Sequence, residues 1–316
     1  MNISNFYELI NAQVVNYGAT SSVYDFSIDL NKIKPASVFF ARNQEQANYA
    51  IKLGAYVIVS EIKLNIEDKD VFYLQVFNLE EAILRFFRFL SEEKSYQFLY
   101  CNNIELKFAK AFGFKILSAN IFNDFDTLKN SKENTFFCTS NAEFILKLNP
   151  QFYQLKQCEY KLLGCKSLFQ TSMLCKNLYF KDLKFAFFYA EFFASFVDFI
   201  EKHKISFTFN DKKLELFNAY FVDQKNEICV FGGSSRVILL VENDDEFDFI
   251  SQKLQGVKGF KTALKNSLFC DFSYENLKHL KHLKHFFDFK YCLIKENKEE
   301  FLNHFLPQEK EISLFD

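Results

Sequence analysis

Few residues of this chain stand in patterns that do chemistry. Gly232-Gly233-Ser234-Ser235-Arg236 joins two glycines, two hydroxyls and a guanidinium, a combination able to curl backbone amides around an anion. It also lies between two apolar runs, 228–231 and 237–241, where paired glycines suit a hairpin turn. A hairpin is expected there, with an anion-binding turn as the alternative. Glu242, Asp244, Asp245 and Glu246 crowd four carboxylates together. Their place before an apolar periodic run reads as helix capping rather than a cation site. His279, His282 and His285 recur every third residue, so they drift around a helix and read as a basic solvated face rather than a metal stripe. The eight cysteines (Cys101, Cys138, Cys158, Cys165, Cys175, Cys229, Cys270, Cys292) include no CxxC pair and no histidine at ligand spacing. Reduced core thiols are expected in place of zinc or disulfides. There is no GxSxG, no HExxH and no GxxxxGK[ST]. No catalytic residue, metal or cofactor is expected.

Composition narrows the remaining classes. The 316 residues are 49% hydrophobic, enough to bury two or three ordinary cores. The 44 phenylalanines, with no tryptophan, fit a bias toward AT-rich codons, so Phe fills positions that Leu or Val fills elsewhere. A net charge of −2 provides no general field for nucleic acid or an anionic membrane. The start MNISNFYELI has no basic segment followed by an apolar core and cleavage site, and the apolar run 185–200 contains Glu191 and Asp198. A cytoplasmic protein without membrane insertion is expected.

The elements that must position any site alternate. A short helix is expected over 6–11, strands over 14–15, 24–30 and 38–41, a helix over 44–53 ended by Gly54, and a strand over 55–60. A strand over 71–76 leads to a helix capped by Asn78. Strands over 96–100, 114–117 and 135–139 and a helix over 141–148 continue the alternation, with 120–134 too polar to assign. Beyond Pro150 come short strands, a Phe-rich helix over 182–204, a meander, and further strands and helices to residue 305.

Asp29, Ile33, Pro35, Val38, Phe39 and Ala41, then a helix, Gly54-Ala55 and the strand 57–61, resemble in order and spacing the N-terminal domain of the Mur ligases. Those enzymes join an amino acid or dipeptide to a UDP-muramoyl precursor of peptidoglycan, and the likeness is greatest to the D-alanyl-D-alanine-adding type. It covers residues 22–112. The resemblance implies that a UDP-muramoyl precursor would meet Asp29, Asn31, Ser37 and Arg42. Leu30 and Asn31 stand where the family has Ser or Thr and then Arg, and Ala36 replaces a Gly.

In the family, the next strand runs into a P-loop. Here the strand at 96–100 is followed by Cys101-Asn102-Asn103-Ile104-Glu105-Leu106-Lys107, without glycine. Glu105 stands where the phosphate-binding Lys would be and Leu106 where the magnesium-binding hydroxyl would be. A carboxylate facing phosphates at a few ångströms costs on the order of several kcal/mol.

The implied fold class is α/β: a Mur-ligase-like N-terminal α/β domain over 1–95, a degenerate remnant of the ATP-binding domain over 96–150, and an α+β region over 151–316. The implied function is binding a UDP-muramoyl precursor or a cell-wall enzyme without ligation. An active ligase with a rebuilt nucleotide site, and an unrelated α/β interaction module, are the alternatives.

Overall fold

Asparagine sets where the helices begin. Asn2, Asn43, Asn78, Asn102, Asn120, Asn141, Asn243, Asn276 and Asn297 each stand at an N-cap, with Oδ1 accepting an amide of the first turn. Each such cap satisfies an otherwise orphaned donor and is worth about 1 kcal/mol. The computed structural model describes residues 1–164 and 166–307, which form two units. Met1–Cys158 with Ser195–Asn210 make the first, and Glu159–Ala194 with the chain from Asp211 onward make the second.

The first unit holds two sheets. α1 (Ile3–Leu9), β1 (Gln13–Asn16), β2 (Phe26–Ser27), β3 (Ser37–Phe40), α2 (Gln44–Lys52), β4 (Ala55–Ser60), β5 (Phe72–Gln75) and α3 (Leu79–Glu93) build the sheet ordered β1-β5-β4-β3-β2. β2 to β5 are parallel, and β1 joins β5 antiparallel. Residues 38–41 and 57–60 are buried throughout, as expected of parallel strands covered on both faces. β2 is much shorter than the strand expected over 24–30, because Asp29 starts a 3-10 turn at Leu30–Lys32.

The second sheet is wholly parallel. β6 (Gln97–Tyr100), α4 (Asn103–Ala111), β7 (Lys115–Ile116), α5 (Ile121–Lys129), β8 (Phe136–Thr139), α6 (Ala142–Leu148) and β9 (Tyr153–Gln154) give the order β7-β8-β6-β9. α5 fills the stretch that looked too polar to assign. Its Ile121, Phe125 and Leu128 are buried, and so is Asp124, which turns back to accept the Ser118 N–H at 2.8 Å. The chain leaves β6 in one direction and β8 in the other. Right-handed crossovers therefore set α4 on one face and α6 on the opposite one, with the switch point between the carboxyl ends of β6 and β8.

One core joins the two sheets. Phe6, Phe40, Phe87, Phe98, Phe125 and Phe137 share it, and Phe125 lies 5.8 Å from Phe40 and 5.0 Å from Phe87 by ring centroid. Ion pairs follow the same seam: Lys32 Nζ lies 2.5 Å from Asp126, and Lys129 Nζ 3.3 Å from Asp25.

In the second unit β10 (Tyr160–Leu163), β11 (Thr171–Cys175) and β12 (Leu178–Leu183) form an antiparallel meander. The long helix expected over 182–204 starts later. β12 runs to Leu183, a 3-10 turn covers Phe187–Tyr189, and α7 spans Ala190–Lys202, its later residues belonging to the first unit. β13 (Asn218–Phe221), β14 (Val237–Val241), α8 (Asp244–Leu254), β15 (Phe260–Lys265), β16 (Phe272–Tyr274), α9 (Leu277–His282), β17 (Tyr291–Lys295) and α10 (Lys298–Phe305) complete it. The sheet is ordered β13-β14-β17-β15-β16, parallel except for β13. Residues 228–231 do not form the expected strand. β13 pairs directly with β14, so the glycines lie within a long connection, 222–236, pinned by a bridge between Val222 and Ile228. No helix of the described residues is long and apolar enough to cross a membrane.

Candidate functional site

The switch point of the second sheet is where an α/β protein receives a phosphate, provided a helix amino terminus stands open there. Here it is occupied by the chain's own side chains. After β6 the Cys101 N–H donates to the Thr139 carbonyl at 3.0 Å. Asn102 Oδ1 then accepts the N–H groups of Ile104 at 3.0 Å and Glu105 at 2.9 Å. Glu105 reaches back, and its carboxylate accepts the Asn102 N–H at 2.7 Å, closing a capping box. Burial lifts the Glu105 carboxyl above its ordinary range, opposed in part by that N–H. Cys101 and Cys138 are buried just behind, and burial pushes the Cys101 thiol far up, away from nucleophilic use. The result is an amide-poor, carboxylate-bearing helix start.

The carboxyl edge of the first sheet is different. Asp29 accepts the Asn31 N–H at 3.0 Å and stands 3.6 Å from Lys32, whose ammonium the Asp126 carboxylate holds in its charged form above the ordinary lysine range. Arg42 follows β3 on the same edge, exposed, with its guanidinium carbon 4.2 Å above the Phe122 ring and its backbone N–H donating to Gln46 Oε1 at 3.0 Å. Asp29, Asn31 and Arg42 thus leave one edge. Ser37 does not join them: it opens β3 at the other end, fully buried, and its hydroxyl has no hydrogen-bond partner.

Sequence reasoning missed Phe77, which is 98% exposed just past β5. It borders a cavity of about 410 Å³ with Asn78, Glu81, Arg85 and Lys147. An exposed Phe straight after a buried strand has no periodic signature, so only the end of the apolar run at Val76 hinted at it.

At the glycine turn the two parts of the pattern separate. Gly232, Gly233 and Ser235 are exposed, but Arg236 is buried. Its guanidinium donates to the carbonyl of Asp223, to Asn226 Oδ1 at 2.9 Å and to the Phe286 carbonyl at 3.3 Å, and it lies 5.2 Å from the Phe289 ring centre. Arg236 ties the 222–236 connection to residues 286–289. Among the described residues the cysteines are free thiols, and no group of three His, Cys, Asp or Glu is placed to hold a metal. Cys165 lies outside the described residues.

No family model matches the sequence, and no curated protein matches it either. Among solved structures the chain is similar to the MurF ligase of Thermotoga maritima in complex with ADP. Identity is 11%, the alignment covers 90% of this chain and 97% of that one, and the TM-score is 0.51. It is also similar to MurF from Acinetobacter baumannii, at 10% identity over 84% of this chain and 78% of that one, with a TM-score of 0.47. The first likeness is one of fold: the chain has a Mur-ligase-like α/β architecture.

Proposed function

We propose that this is a non-ligating, Mur-ligase-like protein of peptidoglycan synthesis, which binds a UDP-muramoyl precursor, or an enzyme that handles one, in the cytoplasm. The observation that carries this reading is the capping box at the start of α4. In a P-loop the amides of the helix start turn outward to phosphate, and a lysine supplies the cation. At this position the amides of Ile104 and Glu105 are already satisfied by Asn102, and the residue in the lysine's place is an anion. Opening the cap and paying the charge penalty would both precede any bound triphosphate. The ATP P-loop is lost on this reading, and the protein is a pseudoenzyme.

The sheets support the accompanying division of roles. On this reading 1–95, which carry the whole first sheet, are the precursor domain, 96–150, which carry the second sheet except its edge strand β9, are the remnant of the ATP-binding domain, and 151–316 are the α+β region, although the compact units place 151–158 and 195–210 with the first unit. On the first sheet's edge Arg42 offers a permanent cation to a diphosphate, and Asp29 and Asn31 offer hydrogen bonds to a sugar or base. Ser37 is too deeply buried to take part.

Calorimetric titration with a UDP-muramoyl tripeptide tests the reading. Saturable binding without added nucleotide is expected. If neither UDP-muramoyl peptides nor immobilised cell-wall enzymes are bound, the reading is lost.

A further inference from the structure

The basic repeat at 277–285, unused by the function above, lines a cleft in the second unit. α9 brings Lys278, Lys281 and His282 to it, the connection after β13 brings Lys225, and the last turn of α10 brings His304. The cleft measures about 820 Å³, and every described residue lining it is polar. It sits at the amino edge of the parallel strands, where α9 and α10 end and β13 finishes, so it is not the sheet's carboxyl-edge crevice.

The charges in it are unbalanced. Glu227 supplies the one carboxylate of the lining and lies 3.4 Å from Lys281, which also donates to the His304 carbonyl at 3.1 Å. The neighbouring Asp223 is turned onto its own backbone, accepting the N–H groups of Lys225 at 2.9 Å and Glu227 at 2.8 Å. Asn226 fixes the connection to α9, donating to the Lys281 carbonyl at 2.9 Å. The helix dipole explains a cation near the end of α9, namely Lys281. It does not explain Lys278, in the first turn of α9, or Lys225, which is on no helix. Both are exposed and have no acidic partner among the described residues.

We propose that this cleft binds an anion carrying more than one phosphate group. Ammonium groups serve phosphate oxygens as point charges from several directions, and Gln224 and Asn303 add carboxamide donors. Three lysines spread across a cleft of this size suit an extended anion better than a single phosphate, and the polar lining offers nothing to an aromatic or acyl group.

The full chain is titrated calorimetrically with inorganic tripolyphosphate, and in a second arm sedimented with phosphatidylglycerol vesicles, which separates a soluble polyanion from a lipid headgroup. Lys225→Gln/Lys278→Gln should weaken binding about tenfold or more, as expected for hydrogen bonds to charged groups. The charge-matched Lys63→Gln/Lys69→Gln, exposed in the first unit, should leave it unchanged. Tripolyphosphate binding that only the first variant weakens supports the site. No tripolyphosphate binding, binding of the single-phosphate vesicles alone, or equal loss in both variants overturns it.

Discussion

α2 and α4 leave their sheets through nearly the same cap and face the solvent with opposite chemistry. At α2, Asn43 accepts the Gln46 N–H at 2.8 Å, and Gln46 reaches back to the N–H of Arg42. At α4, Asn102 accepts the Glu105 N–H, and Glu105 reaches back to the N–H of Asn102. The reaching side chain is neutral in one and anionic in the other, and the residue before the cap is an exposed arginine in one and a buried cysteine in the other. The lesson is that a helix start does not become an anion site through its dipole alone. Side chains at two positions, the one before the cap and the one that reaches back to it, set the charge that the helix start presents.

Both sheets rest on one shared core, and its loss should have the largest effect. Phe125→Ala empties a fully buried position between Phe40 and Phe87 and should cost about 3–5 kcal/mol. Urea unfolding followed by probes on both sheets should show them lost together, and separate transitions would mean that the two edges are independent. Arg42→Ala sharpens the chemical contrast. It should weaken UDP-muramoyl peptide binding by about 1.5–3 kcal/mol, the worth of hydrogen bonds to a charged group, while stability falls by about 0.5–1 kcal/mol through the lost Phe122 stacking.

Asn43→Ala and Asn102→Ala should each cost about 1 kcal/mol in thermal or urea melts, since the caps are built alike. The smallest effect separates them again. The Glu105 carboxyl titrates above its ordinary range, so the folded state binds the extra proton. Its contribution to stability is full below about pH 4.5 and is lost as pH rises through the raised value. Glu105→Gln should flatten that decline, and Gln46→Ala should not.

How much of this was legible in the sequence depended on length and periodicity. Residues 55–59, 98–100 and 237–241 are continuous apolar runs within their strands, and the helices at 79–93 and 244–254 carry asparagine caps and apolar stripes, so both kinds stood out. α5 was hidden because only Ile121, Phe125 and Leu128 mark its face amid polar neighbours, although Asn120 was the same cap used elsewhere. The 222–236 connection was misread because Ile228 and Phe231 look like strand residues, while the partner of β14 lay further back, at β13. Of the site, the missing glycines and Glu105 were visible as identities, but not that Glu105 and Asn102 satisfy each other. Arg236 looked like a free cation at a turn, and only its three acceptors reveal a buried tie.

The closure of the nucleotide crevice is tested most directly by thermal unfolding with and without millimolar magnesium-ATP, with phosphate release followed in the same samples in the presence of UDP-muramoyl tripeptide and D-alanyl-D-alanine. An unchanged melting temperature and no phosphate are expected. A nucleotide-dependent rise in melting temperature accompanied by phosphate release would contradict the account.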